Sequence, residues 1–411
     1  MRIGVNCFLL QSHVGGLRQY FLTLFRELLD RDQEHDYVFF WYRQNAAELE
    51  QLGTDRWRRD AVLLEDQRQV LGHLDRVDLY FCPLTALYPR PVPRPTVMTL
   101  VDIQEVFYPE FFTPADRYIR ELHFPGSTRM ADRVITISEF SRRTIIEHHR
   151  LPPERVAVVH LCADERYSRS AAVARPPAAP LPARFVFYPA NPWKHKNHDV
   201  LLRALRLLRD ERGRRVDLVL SGFGQDDGSS VATMAETHGV RDQVHALGYL
   251  AVEELAYLYR RADMLVFPSL FEGFGIPLVE AMAAGCPVVA ASVTSIPEVA
   301  GDAAEYFDPA SPAALAAAIE RVLDDEARRE MLRTRGLRRA RDFSAAKMAE
   351  GHRAVFREAV QVYSRRAFLW RRWVTSYGHR AQLEWRWRAH YQRTFADWLE
   401  AGRHWLQDPA G

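Results

Sequence analysis

The stretch Phe267-Pro268-Ser269-Leu270-Phe271-Glu272-Gly273-Phe274-Gly275-Ile276-Pro277-Leu278-Val279-Glu280-Ala281-Met282-Ala283-Ala284-Gly285-Cys286-Pro287 admits few folds. It reads as a strand end, a glycine loop and a short helix. Gly273 and Gly275 allow a turn at positive φ that leaves backbone N–H groups unshielded. Pro277 suits the first helical position, where its missing N–H would be unpaired anyway. Leu278, Val279, Ala281, Met282 and Ala283 leave the helix almost no polar face. It is therefore expected to be buried, to stop at Gly285 and to lead into a buried strand over 288–291. Glu280, an acid on a buried helix, then requires a hydrogen-bonding partner. Glu272 lies in a loop facing a helix N-terminus, which attracts an anion such as a phosphate.

The chain repeats this strand, loop, helix order from its start. Residues 3–10 read as a strand, 11–16 as a polar loop ending in Gly15-Gly16, and 17–29 as a helix with apolar residues at Leu17, Tyr20, Phe21, Leu24, Phe25 and Leu28. Gly15-Gly16 would admit a phosphate or sugar close to the backbone, or would simply make a tight turn. Further strand-like runs at 37–42, 79–81, 96–100 and 133–137 predict a mostly parallel, Rossmann-like sheet. Asp102 follows the fourth of these five runs, at the carboxyl edge where such sheets bind ligands. It can orient that loop, touch an acceptor or cap the next helix. Ser138-Glu139-Phe140-Ser141 reads as capping chemistry.

Residues 171–183, rich in proline and alanine, cannot pack as helix or strand and read as a linker between domains. A second βα series follows, with strands at 185–188, 216–221, 244–247, 264–267 and 288–291. The expected organisation is an N-terminal Rossmann-like domain over 1–170, a nucleotide-binding one over 184–345, an interdomain cleft, and a helical tail over 346–411. Within the second half, Tyr188-Pro189-Ala190-Asn191-Pro192-Trp193-Lys194-His195-Lys196 follows a strand and precedes a helix. Lys196 can there neutralise a diphosphate leaving group, or be a solvated helix-entry residue. Ser221-Gly222-Phe223-Gly224 is another glycine turn at a strand end.

Together these segments resemble the retaining glycosyltransferases of GT-B type, family 4. The resemblance rests on the two glutamates eight apart, Glu272 and Glu280, with Gly-Phe-Gly between them, and covers the chain to about residue 365. It implies that Glu272 lies by a donor sugar, Glu280 bonds the nucleotide ribose, and Gly273, Phe274, Gly275 and Ile276 meet the diphosphate. Gly15, Gly16, Arg18, Asn191, Lys194 and Gly222 complete the expected donor contacts, with Lys196 and Glu272 as the catalytic pair and Asp102 on the acceptor side. The Lys196 segment is similar to a branch that uses GDP-mannose. The expected activity is therefore retaining transfer of a hexose, mannose from GDP-mannose favoured, to a saccharide or lipid-linked acceptor.

The chain also departs from the family pattern. Val101 stands where a histidine is common, Asn191 where most branches carry an arginine, and Leu17-Arg18-Gln19-Tyr20 where Ile-Gly-Arg-Tyr is usual. The charge missing at 191 would come from Lys194, His195 or Arg18, or be absent. These changes favour the rival expectation, a catalytically silent subunit that binds a sugar nucleotide or scaffolds a partner.

Composition bears chiefly on location and the tail. Cys7, Cys82, Cys162 and Cys286 are scattered in apolar runs and read as reduced thiols. With no signal peptide before Arg2-Ile3-Gly4-Val5-Asn6 and no long apolar run, a cytoplasmic protein is expected. Asp30-Arg31-Asp32 spells a metal-binding triplet of a different fold, but it sits at a helix end, so no metal or other cofactor is expected. Residues 365–411 hold nine arginines against Glu384, Asp397, Glu400 and Asp408, and six of the nine tryptophans. Three readings stay open for this tail: a strap on the N-terminal domain, an anionic membrane surface met peripherally, or a homodimer contact. Nucleic acid is not expected as a partner, since no stacking or groove-reading motif accompanies the charge.

Overall fold

The computed structural model describes residues 1–11, 15–168, 174–224 and 230–374. The chain divides into two compact units, one made of Met1–His160 with the chain from Ala345 onward, the other of Leu161–Ser344.

The first unit is a parallel sheet of seven strands: β1 (Arg2–Asn6), β2 (Asp36–Trp41), β3 (Ala61–Leu63), β4 (Leu79–Cys82), β5 (Thr96–Thr99), β6 (Arg133–Thr136) and β7 (Val156–Val158). Their order is β3-β2-β1-β4-β5-β6-β7. Val5 on β1 lies between Phe39 and Phe81 of its two neighbours. The inner strands are apolar on both sides because helices cover both faces. β3 and β7 were not anticipated from sequence. Each is a three-residue edge strand, too short for any periodicity to show.

The first helix, Gly15–Arg31, begins two residues before the expected Leu17. The glycine pair thus forms its opening turn and not the preceding loop, since glycine has no side chain to register in an apolar pattern. Phe25 on this helix packs edge-on to Phe39 at 5.2 Å. The helix Ala345–Val362 belongs to the same unit, where buried His352 bonds Tyr20 and Phe356 stacks edge-on to Phe81.

The last helix among the described residues, Arg365–Val374, sinks Phe368 into a cluster with Ile103, Phe124 and Met130, and pairs Arg371 with buried Asp132. Leu369, Trp370 and Trp373 stay exposed, the two indoles 5.5 Å apart. Trp385, Trp387, Trp398 and Trp405, on which the tail expectations also drew, lie outside the described residues. No helix among the described residues is long and apolar enough to cross a membrane.

The second unit has six parallel strands: β8 (Val186–Pro189), β9 (Leu218–Ser221), β10 (Val244–Ala246), β11 (Met264–Phe267), β12 (Val288–Ala291) and β13 (Ala304–Phe307), in the order β10-β9-β8-β11-β12-β13. The unanticipated β13 is again an edge, and it alternates buried with half-buried residues. β8 and β11, at the centre, pair Met264 with Val186 and Leu265 with Phe187. Their carboxyl ends are therefore neighbours, which brings the loop after Pro189 beside the loop after Phe267.

Candidate functional site

The carboxyl edge of the second sheet gathers most of the sequence-predicted residues. After β8 the chain makes a short 3-10 turn, Lys194–Lys196, and enters the helix His198–Asp210 through Asn197, held in the left-handed region at φ 57°. Asn197 is fixed by donating to Pro268 O at 3.1 Å and to Pro309 O at 3.0 Å. Leu270 N donates to His195 O at 2.8 Å, and the buried Tyr188 hydroxyl donates to Lys196 O at 2.8 Å. These bonds tie the lysine loop to the glycine loop. Lys196 Nζ then reaches Glu272 Oε1 at 2.7 Å, with the two side chains only 15% and 11% exposed.

Glu272 is set by its backbone as well. Its N–H donates to Thr294 Oγ1 at 3.2 Å, and Ser295 Oγ donates to its carbonyl at 2.8 Å. Thr294 and Ser295 come from the loop after β12, and sequence reading had not singled them out. Thr294 at φ 54°, unusual for a β-branched residue, is their one signal, and it is visible only in coordinates.

Gly275 adopts φ 92°, and a Cβ there would lie 3.0 Å from Leu278 Cδ1. Glycine is thus required where the loop turns into the helix Ile276–Ala283. No side chain caps that helix, and Pro277 occupies its first turn. An uncapped N-terminus attracts negative charge through its amides and its dipole. Phe274 is buried edge-on to Phe343 at 5.5 Å, which anchors the loop.

Glu280 is buried on the same helix, and its Oε2 accepts from the Tyr259 hydroxyl at 2.8 Å. The required partner is therefore a tyrosine from the preceding helix, Val252–Arg261. Burial, with that carboxylate beside it, raises the Tyr259 hydroxyl well above its ordinary range.

Asn191 and Gly222 also meet. Asn191 Oδ1 accepts from Phe223 N at 2.9 Å, and a Cβ on Gly222 would fall 2.8 Å from that same oxygen. Asn191 here organises a glycine turn, which an arginine could not do in the same space. Lys194 is exposed. Burial, with Lys196 alongside, pushes His195 down to about 3, so it brings no charge at neutral pH.

In the first unit Arg18 hydrogen-bonds Gln51, and Asp102 Oδ1 accepts from Gln104 N at 3.1 Å, shaping the entry to the helix Gln104–Phe107. Asp32, of the Asp-Arg-Asp triplet, is taken up by Tyr37 and His35. Among the described residues no group of three His, Cys, Asp or Glu could hold a metal ion.

Comparison with known proteins adds an independent line. The model for "Glycosyltransferase Family 4" matches residues 14–167, and that for "Glycosyl transferases group 1" matches residues 174–339. The O-antigen chain mannosyltransferase B of Escherichia coli is 35% identical over 294 residues, 69% of this chain and 75% of that protein. The serotype-specific mannosyltransferase WbdA of Escherichia coli is 30% identical over 226 residues, 53% of this chain but only 28% of its own length. Among solved structures, Anabaena Alr3699/HepE in complex with UDP and glucose superposes with a TM-score of 0.68 at 19% identity, over 87% of this chain and all of that one. The last similarity concerns the fold.

Proposed function

Because this chain belongs to the glycosyltransferases of the group 1 and family 4 type, with a GT-B fold, we propose that it transfers a hexose from a nucleotide diphosphate donor with retention of configuration. Mannose from GDP-mannose is the favoured donor, supported by the mannosyltransferase relatives. The acceptor is a saccharide or a lipid-linked saccharide at the cytoplasmic face of a membrane, as polysaccharide synthesis would require.

The observation that carries this reading is the contact of Lys196 with Glu272 beside the uncapped helix at Ile276. As the bond from the anomeric carbon to the phosphate oxygen breaks, charge grows on the departing diphosphate. Lys196, the helix amides and the helix dipole are then better matched to the transition state than to the donor. The acceptor oxygen attacks the same sugar face, and its proton passes to the leaving phosphate. Glu272 orients the donor sugar and Glu280 the ribose. Neutralisation falls to side chains and amides, so the reaction as proposed involves no metal.

Incubation with a panel of sugar nucleotides, with and without saccharide and lipid-linked acceptors, tests the assignment by nucleotide release and product analysis. GDP release from GDP-mannose with an α-linked product is expected. Donor binding without product from any acceptor would favour the silent subunit, for which Val101 and Asn191 speak.

A further inference from the structure

The first unit carries a polar cluster that the donor chemistry does not use. Glu105 lies on the helix Gln104–Phe107, just beyond the carboxyl end of β5, and Arg120 on the helix Pro114–Met130. Arg120 Nη1 stands 3.6 Å from Glu105 Oε2, beyond hydrogen-bonding distance, with the two side chains 29% and 10% exposed. Three buried polar atoms here have no hydrogen-bond partner: Glu105 Oε2, Arg120 Nε and Gln104 Nε2. Orphaned atoms of this kind are rare and costly, and three on two consecutive residues and an adjoining arginine call for a missing partner.

The missing partner must both accept from N–H groups and donate to a carboxylate. A neutral hydroxyl does both, whereas an anion such as phosphate would be repelled by the Glu105 carboxylate. Aromatic faces line the same segment: the Arg120 guanidinium lies 4.6 Å over Phe112, and Tyr108 and Phe111 stack at 5.0 Å. Burial, opposed by Arg120, pushes the Glu105 carboxyl up to about 7, as expected for an acid short of partners. A neutral polyol with apolar ring faces fits such surroundings, and a sugar ring is one.

We propose that Gln104, Glu105 and Arg120 form a saccharide-binding subsite in the first unit, taking vicinal hydroxyls of a neutral sugar ring on the acceptor. This rests on the transferase reading and adds the residues that would recognise its acceptor. Glu105 accepts from one hydroxyl, while Arg120 and Gln104 donate to it and to its neighbour.

Saturation-transfer NMR on the full chain, with methyl α-D-mannoside and methyl β-D-N-acetylglucosaminide as separate probes, and ³¹P line broadening of inorganic phosphate test the subsite. The wild-type protein should bind at least one glycoside and not respond to phosphate. Glu105→Gln, which keeps the shape, and Arg120→Met should each weaken that glycoside at least tenfold, with GDP affinity by calorimetry within twofold and melting cooperative. Unchanged glycoside binding in both variants, or no glycoside binding by the wild type, overturns the proposal. Absence of any GDP or UDP binding would instead count against the transferase reading, so the two failures are distinguishable.

Discussion

The ammonium of Lys196 lies 2.7 Å from Glu272 Oε1, although the two residues are 76 positions apart and sit on different strand-end loops. The contact exists because β8 and β11 are neighbours at the centre of the second sheet. A charge-assisted bond of this kind contributes about 1.5–3 kcal/mol, and it holds the lysine where the proposed mechanism would have it neutralise a leaving diphosphate.

Lys196→Met should therefore lower turnover by about 100-fold while changing donor affinity far less, since the charge it meets grows along the reaction. Steady-state kinetics on both parameters checks this. A raised Michaelis constant at unchanged turnover would reduce the lysine to a binding role.

Glu280→Ala should weaken nucleotide binding by about 1–3 kcal/mol, the scale for losing a buried hydrogen-bonding partner. It also strips the Tyr259 hydroxyl of its acceptor, so a lower melting temperature is expected. Glu280→Gln keeps an acceptor for Tyr259 and separates the two effects. Calorimetry with GDP and UDP that shows no loss in either variant would remove the ribose assignment.

Stability should fall on acidification through His352. Burial holds this ring down at about 4 against an ordinary 6.5, while it bonds the Tyr20 hydroxyl at 2.7 Å and Met348 O at 2.8 Å. Above 6.5 the ring is neutral folded or unfolded, and its contribution is complete. As pH falls from 6.5 through 4 the unfolded chain takes the proton first, costing on the order of 3 kcal/mol by pH 4. Denaturant melts at pH 7 and pH 4 should show that loss, and His352→Gln should remove this part of it. Identical pH dependence in wild type and variant would place the acid sensitivity elsewhere.

The helix Arg365–Val374 should strengthen binding to anionic vesicles if the proposed lipid-linked acceptor brings the enzyme to a membrane. Phe368 and Arg371 hold it to the first unit, and Trp370 and Trp373 stand 65% and 60% exposed beside Arg366 and Arg372. Co-sedimentation with vesicles containing phosphatidylglycerol should fall about tenfold in Trp370→Ser/Trp373→Ser and weaken with salt. Wild-type protein that stays in the supernatant at low salt would end the membrane reading.

Addition of EDTA should leave transfer unchanged within about twofold, because the proposed neutralisation rests on Lys196 and backbone amides. Loss of activity restored by Mg²⁺ or Mn²⁺ would require a metal in the mechanism.

Much of this protein follows from sequence through local physics. The inner strands announce themselves because a parallel sheet buried on both faces requires continuous apolar runs, and β11 and β12 fall on the expected residues. The turn at Gly275 and the buried helix after it follow from glycine, proline and a lack of polar side chains. Burial of Glu280 implied a partner, because an unpaired acid in a core is too costly. Tertiary structure alone decided that the partner is Tyr259, that Asn191 holds a glycine turn, and that Thr294 and Ser295 fix the Glu272 backbone. It alone decided that the helix Ala345–Val362 meets the first unit through His352, which bonds Tyr20 across 332 positions. Such pairings depend on strand order and on which loops share an edge. No local periodicity encodes either, since contacts between distant residues are selected by packing of the whole sheet rather than by the conformational preferences of the residues that make them.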